Sequence, residues 1–255
     1  MRATVNAYMS AFGFLRKHKL SWFLWFPFII TLIVFYGGFS VTSYFTELLT
    51  AYTEGWLDSA DWLPDWLSWI TDVFYWIIWL ALRVILYFAF AFLGGSIILL
   101  LMAPILTWLS EKVAQAVGKD VPDFSATQFM RDLTRAAALA IRNGAIQLVL
   151  TIGCFILGFV PVIGIASAAL LFGINAYFYG YNFMDYTLER KRFSVKQSNQ
   201  FVSNNKFTAM ALGTPYALWM LIPFVGPMTS GFVAIYATIA ATLVLEEENK
   251  PVVRS

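Results

Sequence analysis

Two interruptions of one kind constrain this chain most. Phe159-Val160-Pro161-Val162-Ile163-Gly164 and Leu221-Ile222-Pro223-Phe224-Val225-Gly226 each split a long charge-free apolar stretch near its middle, the first over 143–184 and the second over 207–245. Proline removes a backbone donor and glycine is free to take positive φ. Each stretch is therefore expected to fold back as a helical hairpin, turned at Pro161 and Gly164 in the first and at Pro223 and Gly226 in the second. Each arm is then about 16 to 20 residues long, at or just below the roughly 20 that cross the hydrocarbon core of a bilayer. Short arms meeting at a Pro/Gly turn read as wedges that penetrate a membrane and return.

Hydrophobic residues make up 60% of the chain and charged residues 13%, with a mean hydropathy of +0.69. About a quarter of an ordinary soluble domain is charged, so the chain reads as an all-α integral membrane protein whose first partner is the lipid bilayer. In 255 residues this much membrane-buried helix leaves no space for a sizeable soluble domain, and a single membrane domain is expected over 1–255. Arg16, Lys17 and Lys19 precede an apolar run like the basic start of a signal peptide. That run continues without charge from Leu20 to about Phe45 and no small-residue cleavage site closes it, so a mature transmembrane helix is expected. Lone Cys154 excludes an internal disulfide and a cysteine metal cluster, and lone His18 excludes a multi-histidine site. No metal and no cofactor is expected.

Charge is distributed asymmetrically. Between Gly38 and Leu82 stand Glu47, Glu54, Asp58, Asp61, Asp65 and Asp72 with no lysine or arginine. The positive-inside rule exports that acidic loop and leaves both termini, 111–142 and 189–206 in the cytoplasm. The expected order is an amphipathic helix over 5–19, a first transmembrane helix over 20–45 and an exported Trp/Asp loop over 46–72. A second transmembrane helix with an inward continuation follows over 73–110, kinked near Gly94-Gly95 and Pro104, then an amphipathic helix over 123–142 and the two hairpins. Two long transmembrane helices, two hemi-penetrating hairpins and amphipathic cytoplasmic helices make up this fold. Trp22 and Trp25 mark the headgroup level. Trp56, Trp62, Trp66 and Trp69 in the exported loop form an aromatic belt in preference to a sugar platform.

Arg83 sits inside the second apolar run, where a cation costs roughly 2.5 to 3.5 kcal/mol unless it faces protein or water. It is either a pathway or pairing residue or a snorkelling structural arginine. Arg131, Arg135 and Arg142, spaced by four and seven, share one helix face toward anionic headgroups or an anion route. Asp185 and Glu189 counter the Arg190 to Arg192 cluster, and Asp185 is expected to pair with Arg142. The link is too sparsely charged for nucleic acid. No Walker-type loop, HExxH, CxxC or serine-nucleophile motif is present, so no enzymatic constellation competes. The two Pro/Gly turns are an internal similarity of the kind that flanks sites in transporters, although paired wedges also deform bilayers without conducting.

Five features in order carry a family resemblance: His18-Lys19-Leu20 with Pro27, Ala103-Pro104 leading to Leu109-Ser110-Glu111-Lys112-Val113, Pro161 to Gly164, Asp185 followed by Arg190, and Pro223. Together they resemble the etoposide-induced protein family that includes the CysZ-like sulfate permeases, over nearly the whole chain. The resemblance implies two long transmembrane helices, part-way helix pairs, a homo-oligomer, and sulfate or a related small oxyanion as cargo, moved passively or with a coupled ion. It also implies a multi-pass protein of a bacterial cytoplasmic membrane. The permease branch has a Gly-Leu-Arg motif where the first membrane helix starts, holding the anion with backbone amides and the arginine. Here that place reads Lys19-Leu20-Ser21, so Arg16, Lys17 or Lys19 would supply charge and Ser21 a hydroxyl. Two readings from other classes stand beside the permease, a non-transporting membrane scaffold and a lipid-binding protein using the Arg131 to Arg142 face.

Overall fold

The apolar runs become helices because lipid offers the backbone no hydrogen-bond partners. A computed structural model of the chain describes residues 2–58, 68–119, 121, 126–160 and 163–247, and no strand occurs among them. The helices are α1 Arg2–Lys17, α2 Trp25–Asp58, α3 Ser68–Ala116, α4 Ala126–Gly158, α5 Ile163–Arg190, α6 Val195–Asn204, α7 Lys206–Met220 and α8 Val225–Glu247, with a 3-10 turn Ser21–Leu24 leading into α2. Five helical stretches among the described residues are long and apolar enough to cross a bilayer.

Helices outrun the sequence expectation. α2 continues past Phe45 to Asp58, and the amphipathic segment ending at Arg142 is continuous with the first hairpin arm in α4. α3 is one helix of 49 residues, continuous through Gly94-Gly95 and Pro104, where a kink is expected. Pro104 removes one bond from a long ladder, and packing of α3 on α2 and α8 keeps the remaining turns in register. α6 lies inside the link read as merely polar. Its start is a capping box: Gln197 N–H donates to Ser194 Oγ (3.3 Å) while Ser194 N–H donates to Gln197 Oε1 (2.8 Å). The aromatic stripe of Trp56, Trp62, Trp66 and Trp69 and the acidic face around Asp61 and Asp65 lie outside the described side chains, as do Asp123 and Pro161.

The glycines of the two turns work differently from expectation. Neither Gly164 nor Gly226 has positive φ; at the second turn it is Phe224 that takes the left-handed conformation, at φ 62°. A Cβ on Gly226 would fall 2.5 Å from Trp219 O, and one on Gly164 would fall 2.7 Å from Gly158 O. Glycine is required at both places so that the second arm can start against the end of the first.

The core lies around α8. Of its most apolar 18-residue stretch 67% is buried, against 11% for α2. Gly231 lets α8 in between α2 and α3, since its Cβ would meet Pro27 Cβ at 2.7 Å and Ile98 Cγ2 at 3.3 Å. Thr31 Oγ1 donates to Met228 O at 3.1 Å, and Thr242 Oγ1 donates to Ser110 Oγ at 3.2 Å. α8 therefore runs parallel to α3 and antiparallel to α2. α1 lies across α7 and α8, with Tyr8 donating to Leu212 O at 2.5 Å.

The closest helix approach joins the two hairpins. A Cβ at Gly180 would lie 1.7 Å from Ala209 O, and one at Gly213 would lie 1.8 Å from Ala176 O. Ala176-x3-Gly180 on α5 thus meets Ala209-x3-Gly213 on α7, a small-residue crossing in which backbones touch. Gly180→Leu or Gly213→Leu is expected to cost at least about 4 kcal/mol, because helix backbones must part. Gly173→Ala, whose Cβ would meet Met210 Cε at 3.6 Å, is expected to be neutral or stabilising by up to about 1 kcal/mol. Thermal unfolding in detergent separates the two classes.

Candidate functional site: a basic turn, buried ion pairs and a row of hydroxyls

At the end of α1 the chain reverses through a left-handed residue. Lys19 has φ 57°, its N–H donates to Arg16 O (3.2 Å), and Leu20 N–H donates to Leu15 O (2.9 Å). This is the Schellman arrangement, with lysine at the position glycine favours. Leu20 is buried beneath the turn, while Arg16, Lys17, Lys19 and Ser21 are exposed around it. Arg16 rests over the Phe12 ring at 5.4 Å. The turn thus gathers three cations and a hydroxyl where α1 passes into α2.

Arg83 does not join them. Its guanidinium lies over the Trp79 ring at 4.7 Å. Trp22, beside the basic turn, meets Trp108 edge-on at 5.1 Å, and 25 residues of α3 separate Trp108 from Arg83, about 37 Å at 1.5 Å per residue.

Asp185 pairs with Arg135 and not with Arg142. Arg135 Nη1 and Nη2 donate to Asp185 Oδ2 and Oδ1 at 3.0 and 2.8 Å, and the same guanidinium holds Ser198 Oγ and Phe193 O, both at 2.6 Å. The reason is hairpin register. Arg135 stands 23 residues before the end of α4 and Asp185 stands 22 after the start of α5, so antiparallel arms bring them level. Arg142, two turns nearer the tip, donates instead to Asn143 Oδ1 (3.0 Å) and Asn199 Oδ1 (2.7 Å). Arg131 is exposed. A second buried pair joins Arg190 to Glu246, with Lys191 Nζ 3.2 Å from the same carboxylate.

A polar row that sequence reasoning missed runs along the central helix. Ser230, Ala234, Thr238, Thr242 and Glu246 recur every fourth residue of α8, and all five are buried. That spacing puts them on one face. At one end Glu246 is held by Arg190 and Lys191. Next, Thr242, Ser110 and Thr187 form a triangle of hydroxyls at 3.0 to 3.3 Å, beside Thr107, which donates to Glu189 Oε2 at 3.1 Å. Farther in, Thr238 Oγ1 and Ser230 Oγ are buried without a hydrogen-bond partner. So is the Tyr216 hydroxyl, which lies beside Ser230. A buried unpaired hydroxyl costs about 1 to 3 kcal/mol. The four-residue spacing of Ser, Thr, Thr and Glu in the last apolar stretch was the available signal.

Residues 7–229 match the family described as Sulfate transporter CysZ/Etoposide-induced protein 2.4. The chain belongs to this family. Proteins named Sulfate transporter CysZ resemble it at low identity over most of both lengths. That of Pseudomonas fluorescens is 26% identical, covering 80% of this chain and 78% of its own. For Vibrio parahaemolyticus the figures are 25%, 75% and 74%, and for Pseudomonas paraeruginosa 29%, 75% and 76%. The left-handed φ of Lys19 is one that glycine adopts without steric cost.

Lys19→Gly is accordingly expected to stabilise the protein by about 1 kcal/mol, seen as a higher unfolding temperature. Asp185→Asn leaves the half-buried Arg135 without its counter-charge and is expected to cost about 3 kcal/mol, whereas Arg142→Ala leaves that pair standing and shifts the same melt far less.

Proposed function

We propose that the protein is a permease for sulfate or a related small oxyanion of a bacterial cytoplasmic membrane, working passively or with a coupled ion, with both termini cytoplasmic. The observation that carries the reading is the hydroxyl row on α8 with its orphaned Ser230 and Thr238. Hydroxyls in a lipid-embedded bundle are retained where something polar must pass or bind. Family membership and the names of the relatives supply the class of cargo.

In this reading α2 and α3 cross the membrane, and the α4–α5 and α7–α8 hairpins enter part-way from the cytoplasm. Interhelix register supports it. Met228 is level with Thr31, which puts the α7–α8 tip near Val34, about 18 Å along α2 from Trp22. With Trp22 and Trp25 at headgroup level, the tip stands a little over halfway through a core of about 30 Å. α2 continues about 36 Å farther, its side covered with exposed apolar residues as far as Tyr52. Arg83 then falls beyond the far edge of the core, where a cation stacked on Trp79 is inexpensive. The basic turn of Arg16, Lys17, Lys19 and Ser21 stands at the near edge as an anion collector, and the row from Glu246 to Ser230 leads inward from that level. Because the hairpins reach only part-way, a route across the whole bilayer would be completed in a homo-oligomer.

Radiolabelled sulfate uptake into proteoliposomes tests the proposal. Wild-type protein is expected to carry sulfate. Thr238→Val, which keeps the shape and deletes the orphaned hydroxyl, should raise stability by about 1 kcal/mol while lowering uptake roughly tenfold. Uptake by the variant equal to wild type removes the row from the route, and no uptake by wild type favours the scaffold reading.

A further inference from the structure

Beside the bundle, α4, α5 and α6 enclose a cleft of about 600 Å³. Arg142, Asn143, Tyr181, Lys196 and Asn199 line it, with Ile146 and Phe178 as its apolar wall. No carboxylate is among the lining residues, since Asp185, the nearest acid on α5, is held by Arg135. Neither cation has an acidic partner: Arg142 bonds only to amides, and Lys196 forms no ion pair among the described residues.

The hydrogen bonds inside the cleft fix which groups remain to offer. Arginine only donates, so the Arg142 guanidinium turns the carbonyl oxygens of Asn143 and Asn199 toward itself, at 3.0 and 2.7 Å. The Tyr181 hydroxyl also donates to Asn199 Oδ1, at 2.7 Å. Both amides are thereby left with their NH₂ ends as the free ends. Asn143 is 4% exposed, and its Nδ2 is buried without a partner. A buried amide donor left unpaired is costly, and here Arg142 and Lys196 line the same cleft.

We propose that this cleft binds a tetrahedral oxyanion of the sulfate or phosphate type, held by Arg142, Lys196 and the Asn143 amide. The site is separate from the α8 row, because its lining residues lie on α4, α5 and α6 and none on α8, and α4 packs chiefly on α5. Two sources share the chemistry. A free inorganic anion satisfies the three donors, and the phosphate of an anionic phospholipid does so with its glycerol carbons against Ile146 and Phe178. Arg142 is 16 residues from the end of α4, about 24 Å from the hairpin tip and so at headgroup depth in the proposed arrangement.

Titration calorimetry on the purified, detergent-solubilised full chain tests the site at fixed ionic strength with sodium sulfate, sodium phosphate and short-chain phosphatidylglycerol, chloride being the control. Saturable binding of at least one of the three is expected, weakened about tenfold or more by Lys196→Gln and by Arg142→Gln, and retained in Thr238→Val. Lys196 is exposed and unpaired, so Lys196→Gln leaves the fold intact and keeps the test decisive if Arg142→Gln unfolds. Binding of the inorganic ions identifies a free anion, and binding of phosphatidylglycerol alone identifies a headgroup. Absence of saturable binding by all three, or binding unchanged in Lys196→Gln, overturns the proposal. Because the readout is binding at the cleft, it stands whether or not sulfate uptake is observed.

Discussion

Where α5 crosses α7, no atom fits between the backbones. Gly180 and Gly213 each face a carbonyl of the other helix at a distance a Cβ could not tolerate, and this contact locks the first hairpin to the second. The packing at the C-terminal end of α5 depends on it. With α5 held against α7, its C-terminal end reaches α3 and α8, so that Thr187 meets Ser110 and Thr242, and Arg190 meets Glu246. In lipid, where burying apolar surface gives little drive between helices, such close contact is a principal source of cohesion.

The same bundle accepts polar costs that a purely structural core would avoid. Thr238, Ser230 and Tyr216 carry buried hydroxyls with no partner, while apolar residues of similar shape would pack there without penalty. The ion pairs toward the C-terminal ends of α5 and α8 differ in kind. Arg135 is satisfied by a bidentate carboxylate, a hydroxyl and a carbonyl, and it ties α4, α5 and the start of α6 into one unit. The Arg135 guanidinium is satisfied at the rim, whereas Arg190 Nε and the Ser230 and Thr238 hydroxyls on α8 are buried without a partner.

Much of this was legible in the residues. Proline and glycine in the middle of charge-free runs announce hairpins, and composition announces a membrane. Other features were hidden for physical reasons. Glycine at a turn signals positive φ or close approach equally well, and at Gly164 and Gly226 approach is what the chain needs, Phe224 taking the left-handed conformation. The partner of Asp185 follows from counting outward from the turn to Arg135, a register that helix periodicity within α4 alone does not contain. α6 was obscured by its polarity, although Ser194 and Gln197 spell its cap. The α5–α7 crossing and the α8 row are small-residue and hydroxyl spacings of four, signals that an overall hydropathy reading averages away.

In the proposed arrangement the α7–α8 tip stops inside the bilayer while α2 continues through it. Cys154 is the sole native thiol, so replacing it with alanine and introducing Ile222→Cys places one label at the tip. A fluorophore there should be quenched most by lipids brominated near the bilayer centre, and the thiol should resist membrane-impermeant maleimide from both sides. Ready labelling by that reagent from the external medium would contradict the account.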